Sequence, residues 1–386
     1  MNSVEAILSK VVEGARINRE EGLILLERAE LSDLGRTADW VRFRHHPDPI
    51  VTYIVDRNIN YTNVCVTYCA FCAFYRTPAS DQGYTLTRGQ LGQKIRETLD
   101  QGGIQILLQG GHHPDYPIGW YEDLLRFIKE NYPIHVHGFS PPEIHHISRV
   151  SALSIPEVLR RLKAAGLDTI PGGGAEILVD RVRKEISPLK TTSAEWLEVM
   201  RQAHRLGIRS TATMMYGHVE TLDERMDHLQ EIRDLQEEAP VEGGFTAFIC
   251  WNLQSRNTKL SHLPVTGGVD YLRTLAVARI FLDNVPNIQS SWVTQGEKIG
   301  QMALRFGAND MGSTMIEENV VSQAGADFRL TEDRIRGIIQ DLGYAPRRRT
   351  CYYEILEEQF DTVGVQGNGF FSTETRNSQN KARNLS

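Results

Sequence analysis

Three cysteines fall within eight residues, Cys65-Val66-Thr67-Tyr68-Cys69-Ala70-Phe71-Cys72, a C-x3-C-x2-C run. The chain has 5 cysteines in 386 residues, so this spacing arises by accident with odds of roughly one in a thousand. A disulfide would close a very tight loop and leave one thiol over. A structural zinc site needs a fourth ligand, here a distant His, and usually paired C-x2-C hooks. An iron–sulfur cluster is normally held by four thiolates. Three on one short loop leave one iron of a [4Fe–4S] cube without a protein ligand, and an open metal position is where substrate chemistry takes place. The cluster is the first reading, and one zinc knuckle with a distant His is the second. Cys250 and Cys351 stand apart and read as buried apolar thiols.

Such a loop needs a rigid frame. Short β-branched or apolar runs are expected as strands at 54–62, 105–109, 134–139, 168–171, 209–216, 244–251, 287–292 and 306–310. Amphipathic helices are expected between and after them at 88–101, 120–131, 155–165, 194–206, 222–237, 269–283, 295–305 and 332–342. Gly102, Gly166 and Gly207 stand where helices stop. Ser193 and Thr331 suit helix starts. Regular alternation calls for a parallel sheet covered by helices. Eight units match an α/β fold of the (β/α)8 TIM-barrel type, whose active sites lie at the C-terminal ends of the strands. The cysteine run follows the first strand. A doubly wound sheet is the second arrangement, but no Gly-x-Gly-x-x-Gly follows an early strand and no Walker A motif is present. The expected organisation is an N-terminal helical extension over 1–50, the barrel over 51–345, and a C-terminal extension over 346–386. From about Gly364 it reads as a flexible tail.

Composition narrows the classes. Apolar residues make up 41% and charged residues 24%, the mix of a chain with a large buried core. That excludes wholesale disorder, collagen and coiled coil. Forty-two Lys and Arg against 49 Asp and Glu leave a net charge of −7, which argues against a nucleic-acid partner. No apolar run approaches membrane-spanning length, and Met1–Glu5 resembles no export leader. A reduced cytoplasmic setting is therefore expected.

With Phe71 before its last cysteine, the run resembles the signature of the radical S-adenosylmethionine (radical SAM) enzymes. Further segments are similar to that family's cofactor contacts. They are Gln109-Gly110-Gly111 after the second strand, Glu176 after Pro171-Gly172-Gly173-Gly174, and Tyr216-Gly217-His218-Val219-Glu220 after the fifth. Taken alone, each is also an ordinary glycine-rich or polar turn. Longer stretches resemble one branch, the futalosine-pathway enzymes of menaquinone biosynthesis, and within it the dehypoxanthine futalosine cyclases. These are 57–65, 71–76, 105–114, 137–144 (HGFSPPEI), 170–180, 211–221 and 312–324 (GSTMIEENVVSQA). Aminofutalosine synthases and the halves of the deazaflavin-forming FO synthase share much of this pattern.

The resemblance implies a [4Fe–4S] cluster on Cys65, Cys69 and Cys72, with S-adenosylmethionine on its open iron. It implies cofactor contacts from Phe71, Gln109, Gly110, Gly111, Glu176, Tyr216 and Gly217. A 5′-deoxyadenosyl radical would take hydrogen from C4′ of dehypoxanthine futalosine, and the carbon radical would add to the benzoate ring. Loss of an electron and a proton restores aromaticity. The partners implied are a small-molecule substrate and an external electron donor of the flavodoxin or ferredoxin type. Tyr216, His112 and His137 are the residues expected near the reacting atoms. Arg76 or Arg256 would anchor the carboxylate, with Glu143, Trp251, Trp292 and Glu317 lining the pocket. His135 and His137 share one strand face and are either functional or a hydrogen-bonded interior pair. A zinc-dependent barrel hydrolase built on that pair is the alternative from another class. A plain electron carrier would want a fourth nearby cysteine, and none is present.

Overall fold

The computed structural model describes residues 3–326 and 328–356. One extended run opens the sheet, bent at Val55 into β1 (Ile50–Ile54) and β2 (Asp56–Asn60). It is followed by β3 (Gln105–Gln109), β4 (His135–Gly138), β5 (Ser210–Tyr216), β6 (Phe245–Asn252), β7 (Asn287–Gln289), β8 (Asp310–Ser313) and β9 (Ala345–Arg348). Every pairing between these strands is parallel: β2 with β3, β3 with β4, β5 with β6, β6 with β7, β7 with β8, and β8 with β1. Between β4 and β5 the fourth position is a two-residue bridge, with Thr169 opposite His137 and Ile170 opposite Ser210. The ring of eight closes, because the lower half of the first strand meets β8 and its upper half meets β3. This is a (β/α)8 barrel, with helices between the strands on its outside.

The local reasons are legible. Thr87, Thr192 and Thr221 cap helices reciprocally with Gln90, Glu195 and Glu224 three residues on. The helix expected from Ser193 therefore starts on Thr192. The structure adds a helix over Pro141–Ser151 that helical periodicity alone did not suggest. Two prolines open it, where their missing N–H groups have no partner to lose. The last barrel strand sits later than the expected 306–310, because Gly307 holds a left-handed turn (φ 100°) and pairing begins at Asp310. The expected 287–292 strand stops at Gln289, and a helical turn follows at Trp292–Gln295.

Helices Val4–Val12, Arg19–Arg28 and Leu31–His45 form the N-terminal extension. They belong to the same compact unit as the barrel, which runs to Leu356. The segment after 345, expected to leave the barrel, instead lays β9 beside β1 on the side away from β8. Its next residue, Arg349, enters the barrel and grips Asp310 of β8 with two hydrogen bonds of 2.6 and 2.9 Å. Both side chains are buried. The expected tail from Gly364 lies outside the described residues. No helix among the described residues is long and apolar enough to cross a membrane.

Removing one partner of a buried ion pair strands the other charge, at a cost of about 3–5 kcal/mol. Asp310→Asn should lower unfolding stability by about that amount in urea titration. An unchanged midpoint would show that the pair does not hold the barrel floor.

Candidate active site

The cysteine loop springs from the top of β2. Val64 pairs with Arg76, so the loop folds back on its own root. Arg76 ties it further, its guanidinium donating to the carbonyls of Ala73, Phe74 and Tyr75 at 2.9–3.2 Å. Cys65 and Cys69 are buried and Cys72 half-buried. Thr67 Oγ1 lies 3.0 Å from Cys65 Sγ and 3.5 Å from Cys69 Sγ. Burial pushes the Cys69 thiol up to about 11, with Lys190 pulling the other way. Buried thiols in this state become good ligands only when a metal takes the proton's place.

All three cysteines line one cavity of about 230 Å³, and the ends of β3, β5 and β6 form its other walls. Phe71, Gln109, Gly110, Gly111, His112, Glu143, Glu176 and Trp251 line it, as expected from sequence. Gly111 is obligatory here: a Cβ on it would lie 2.2 Å from the Val64 carbonyl oxygen at the loop's root. Glu143 is fully engaged. Its Oε1 accepts from Tyr61 OH and Gly110 N, its Oε2 from Ser140 N and Oγ, all at 2.6–2.9 Å. It is a brace for the β3 end. Glu176 adopts a positive φ of 43° and accepts from Lys190 through Oε1 at 2.9 Å. Its Oε2 is buried without a hydrogen bond, 4.0 Å from the Arg183 guanidinium, an acceptor left for a ligand. Lys190 was not singled out in the sequence; its Nζ also stands 5.3 Å over the Phe71 ring.

A second cavity of about 290 Å³ fills the barrel lumen and shares Gln109, Thr213, Trp251, Val320 and Val321 with the first. Its walls are apolar at Ile54, Leu107, Ile249, Trp292 and Met315, and polar at Asn58, Gln105, His137 and Glu318. Arg349, Cys351 and Tyr353 line it too. Asn58 Oδ1 and Gln105 Oε1 are buried without partners.

Several expected residues are elsewhere, and strand alternation explains Tyr216. Tyr216 points out of the barrel, its ring under Arg225 at 4.3 Å, while Met215 faces the cavity. Gly217 turns away with it, packing against Thr266. Glu317 faces outward, bonded to Arg57, Lys94 and Asn319, while its neighbour Glu318 lines the lumen. Arg76 ties the loop, as above, and Arg256 is exposed; neither lines a cavity. His112 is buried beside His146, ring centroids 5.1 Å apart, and burial holds it neutral. His135 and His137 both bond Thr169, and they do not offer a metal site together. Among the described residues no three His, Cys, Asp or Glu side chains meet closely enough for a single metal ion. It applies to the three thiols as well, which ring a cavity, as a multi-iron cluster requires.

The sequence matches the radical SAM superfamily over residues 59–232 and the CofH/MqnC C-terminal region over 242–361. It is 46% identical to the cyclic dehypoxanthine futalosine synthase of Halalkalibacterium halodurans, covering 92% of this chain and 95% of that protein. The chain belongs to the radical SAM superfamily, in its CofH/MqnC branch. The Streptomyces coelicolor synthase of the same name is 45% identical over 92% of this chain and 89% of its own length. The aminodeoxyfutalosine synthase of Thermus thermophilus is 41% identical, over 90% and 94%. Among solved structures, methylornithine synthase (PylB) superposes with a TM-score of 0.68 at 17% identity, covering 89% of this chain and 97% of that one. This radical SAM enzyme uses a [4Fe–4S] cluster and S-adenosylmethionine. The residues present fit both: three cavity-facing thiols in a loop seated on Gly111, and beside them a buried Glu176 oxygen with no hydrogen bond.

Anaerobic reconstitution should give a brown protein with about four irons on three thiolates. Cys69→Ala should lose the colour and cofactor cleavage together. Gly111→Ala should lower iron content, since its Cβ displaces the loop root. Full iron loading in either variant would contradict the assignment.

Proposed function

We propose that this protein converts dehypoxanthine futalosine to cyclic dehypoxanthine futalosine in the futalosine route to menaquinone. The observation that carries the reading is a lumen cavity opening directly onto the cluster cavity, in a chain 45–46% identical to two synthases of that name. When bound, the cluster and S-adenosylmethionine supply hydrogen-atom abstraction. Everything else falls to the chain. Cys65, Cys69 and Cys72 hold the cluster, while Gly110, Gly111 and Glu176 face the cofactor. Gln109, Thr213 and Trp251 stand where the two cavities meet and set the substrate carbon against the cofactor; positioning of this kind supplies much of a radical enzyme's rate.

Deeper in the barrel, Trp292, Ile249 and Met315 make an apolar sleeve suited to an aromatic ring and exclude water from it, with Val320 and Val321 at its mouth. The free acceptors Asn58 Oδ1 and Gln105 Oε1 suit sugar hydroxyls. The product has two hydrogens fewer than the substrate. One leaves as an atom to the adenosyl fragment and one as a proton, with release of the electron that cofactor cleavage consumed.

That electron enters from a flavodoxin- or ferredoxin-type donor in a cytoplasmic setting. A groove outside the cysteine loop offers such a carrier Arg149 and Lys190 beside Thr67, against Glu195, while burial holds His145 and His146 toward the neutral form.

The test is an anaerobic assay with dithionite and S-adenosylmethionine, offering dehypoxanthine futalosine and, separately, the enol-ether substrate of aminofutalosine synthase. A two-hydrogen mass loss from the first is the expected result. An adenosyl adduct of the second, without cyclisation of the first, would overturn it.

A further inference from the structure

With substrate and cofactor filling its mouth, the lumen has to release a proton, and one chain of side chains links it to the outside. His137 lines the lumen cavity, and its Nδ1 lies 2.7 Å from Thr169 Oγ1. Its Nε2 makes no hydrogen bond. Thr169 Oγ1 lies 2.8 Å from Nε2 of His135 and 3.3 Å from Cys351 Sγ. His135 Nδ1 in turn faces Asp168 Oδ2 at 4.0 Å, a carboxylate held by Lys129 and by the backbone N–H of Val136. Thr169 and His137 are buried, while the side chains of His135 and Asp168 are 18% and 29% exposed. The series therefore runs from the lumen, down the inner face of β4, to water beyond the strand's N-terminal end.

We propose that His137, Thr169 and His135 form a proton conduit by which the proton released in cyclisation leaves the lumen toward Asp168 and solvent. The inference rests on the cyclase reading.

One arrangement of hydrogens satisfies every group. Asp168 favours the N–H of His135 on Nδ1, the nearer nitrogen, which leaves Nε2 as an acceptor. The Thr169 hydroxyl then donates to His135 Nε2 and accepts from His137 Nδ1–H and the Cys351 thiol. The lone pair of His137 Nε2 is thereby turned to the lumen. Burial holds His135 and His137 neutral, down to about 4 and about 3. The charged and titratable neighbours are Asp168 and Lys129 around His135, Tyr352 against its ring, and Arg349 and Cys351 beside His137.

The transfer balances. The new bond joins C4′ to a ring carbon whose C–H breaks. Its proton goes to His137 Nε2, and the electron returns to the one-electron couple that cofactor cleavage draws on. The Nδ1 proton of His137 passes to Thr169, the hydroxyl proton passes to His135 Nε2, and the Nδ1 proton of His135 leaves to water. Each ring regains its starting tautomer by giving one proton to, and taking one from, the water on its own side, His137 in the emptied and refilled lumen and His135 at the outer end. His137 is the proton acceptor; Thr169 and His135 are positioning residues that act through it.

Two measurements on the full chain decide this. The first is nitrogen NMR of the histidine rings without substrate, where Nδ1–H tautomers are expected at His135 and His137. An Nε2–H tautomer at His137 would overturn the conduit. The second is turnover of C4′-deuterated dehypoxanthine futalosine by the loaded enzyme. Thr169→Val, close in volume, should still transfer deuterium to 5′-deoxyadenosine while kcat for cyclised product falls about 100-fold at unchanged KM. Thr169→Ser should restore it. Undiminished cyclisation in Thr169→Val, or equal loss of deuterium transfer and cyclisation, would overturn the proposal. Absence of deuterium transfer in the unaltered enzyme would instead remove the cyclase reading, and the tautomer result stands apart from it.

Discussion

Successive side chains of a strand point to opposite faces, and a closed ring of parallel strands turns that rule into an inside and an outside. Everything about this site depends on it. Asp56 and Asn58 on β2, Gln105, Leu107 and Gln109 on β3, His137 on β4, Thr211 and Thr213 on β5, and Ile249 and Trp251 on β6 all face the lumen. They stand at two-residue intervals. The same rule sends Tyr216 outward against Arg225 and brings Met215 in. A residue's chemistry is thus subordinate to its parity.

Closing the ring creates a need at its lower end. The first strand bends, and below the bend only β8 and β9 accompany it. Arg349 carries a full charge into this floor, where burial opposes its charge and Asp310 outweighs the burial. Thr52 also donates to Asp310 at 2.6 Å, so the carboxylate is saturated. Cys351 and Tyr353 follow Arg349 into the lumen floor. A segment that looks from sequence like the start of an extension lines the floor of the lumen cavity.

At the upper end the demand is different. The cysteine loop has no regular secondary structure, so its shape comes from its neighbours: Gly111 lets the loop root lie against β3, and Arg76 ties three successive carbonyls. Glu143, the third residue of a helix opened by Pro141 and Pro142, reaches both Tyr61 and the Gly110 N–H. The carboxylate is held by four donors and stays out of the chemistry, although burial raises its pKa. Perturbed titration marks burial here as much as function.

The sequence alone determined the barrel, the run of three thiols and the glycines beside it. These are local matters: alternating hydrophobic periods specify strands and helices, and three thiols on one short loop need no distant partner to be recognised. Only the tertiary structure decided which residues share the lumen. Arg76 and Arg256, the expected anchors, lie outside it, while Lys190, Glu318, Arg349 and Cys351 come into the cavities from far along the chain. The meeting of Thr169 with His135, His137 and Cys351 has the same origin. Contacts of that kind depend on strand register and on where a closing segment ends, which are set by the packing of the whole ring and leave no periodic trace in the chain.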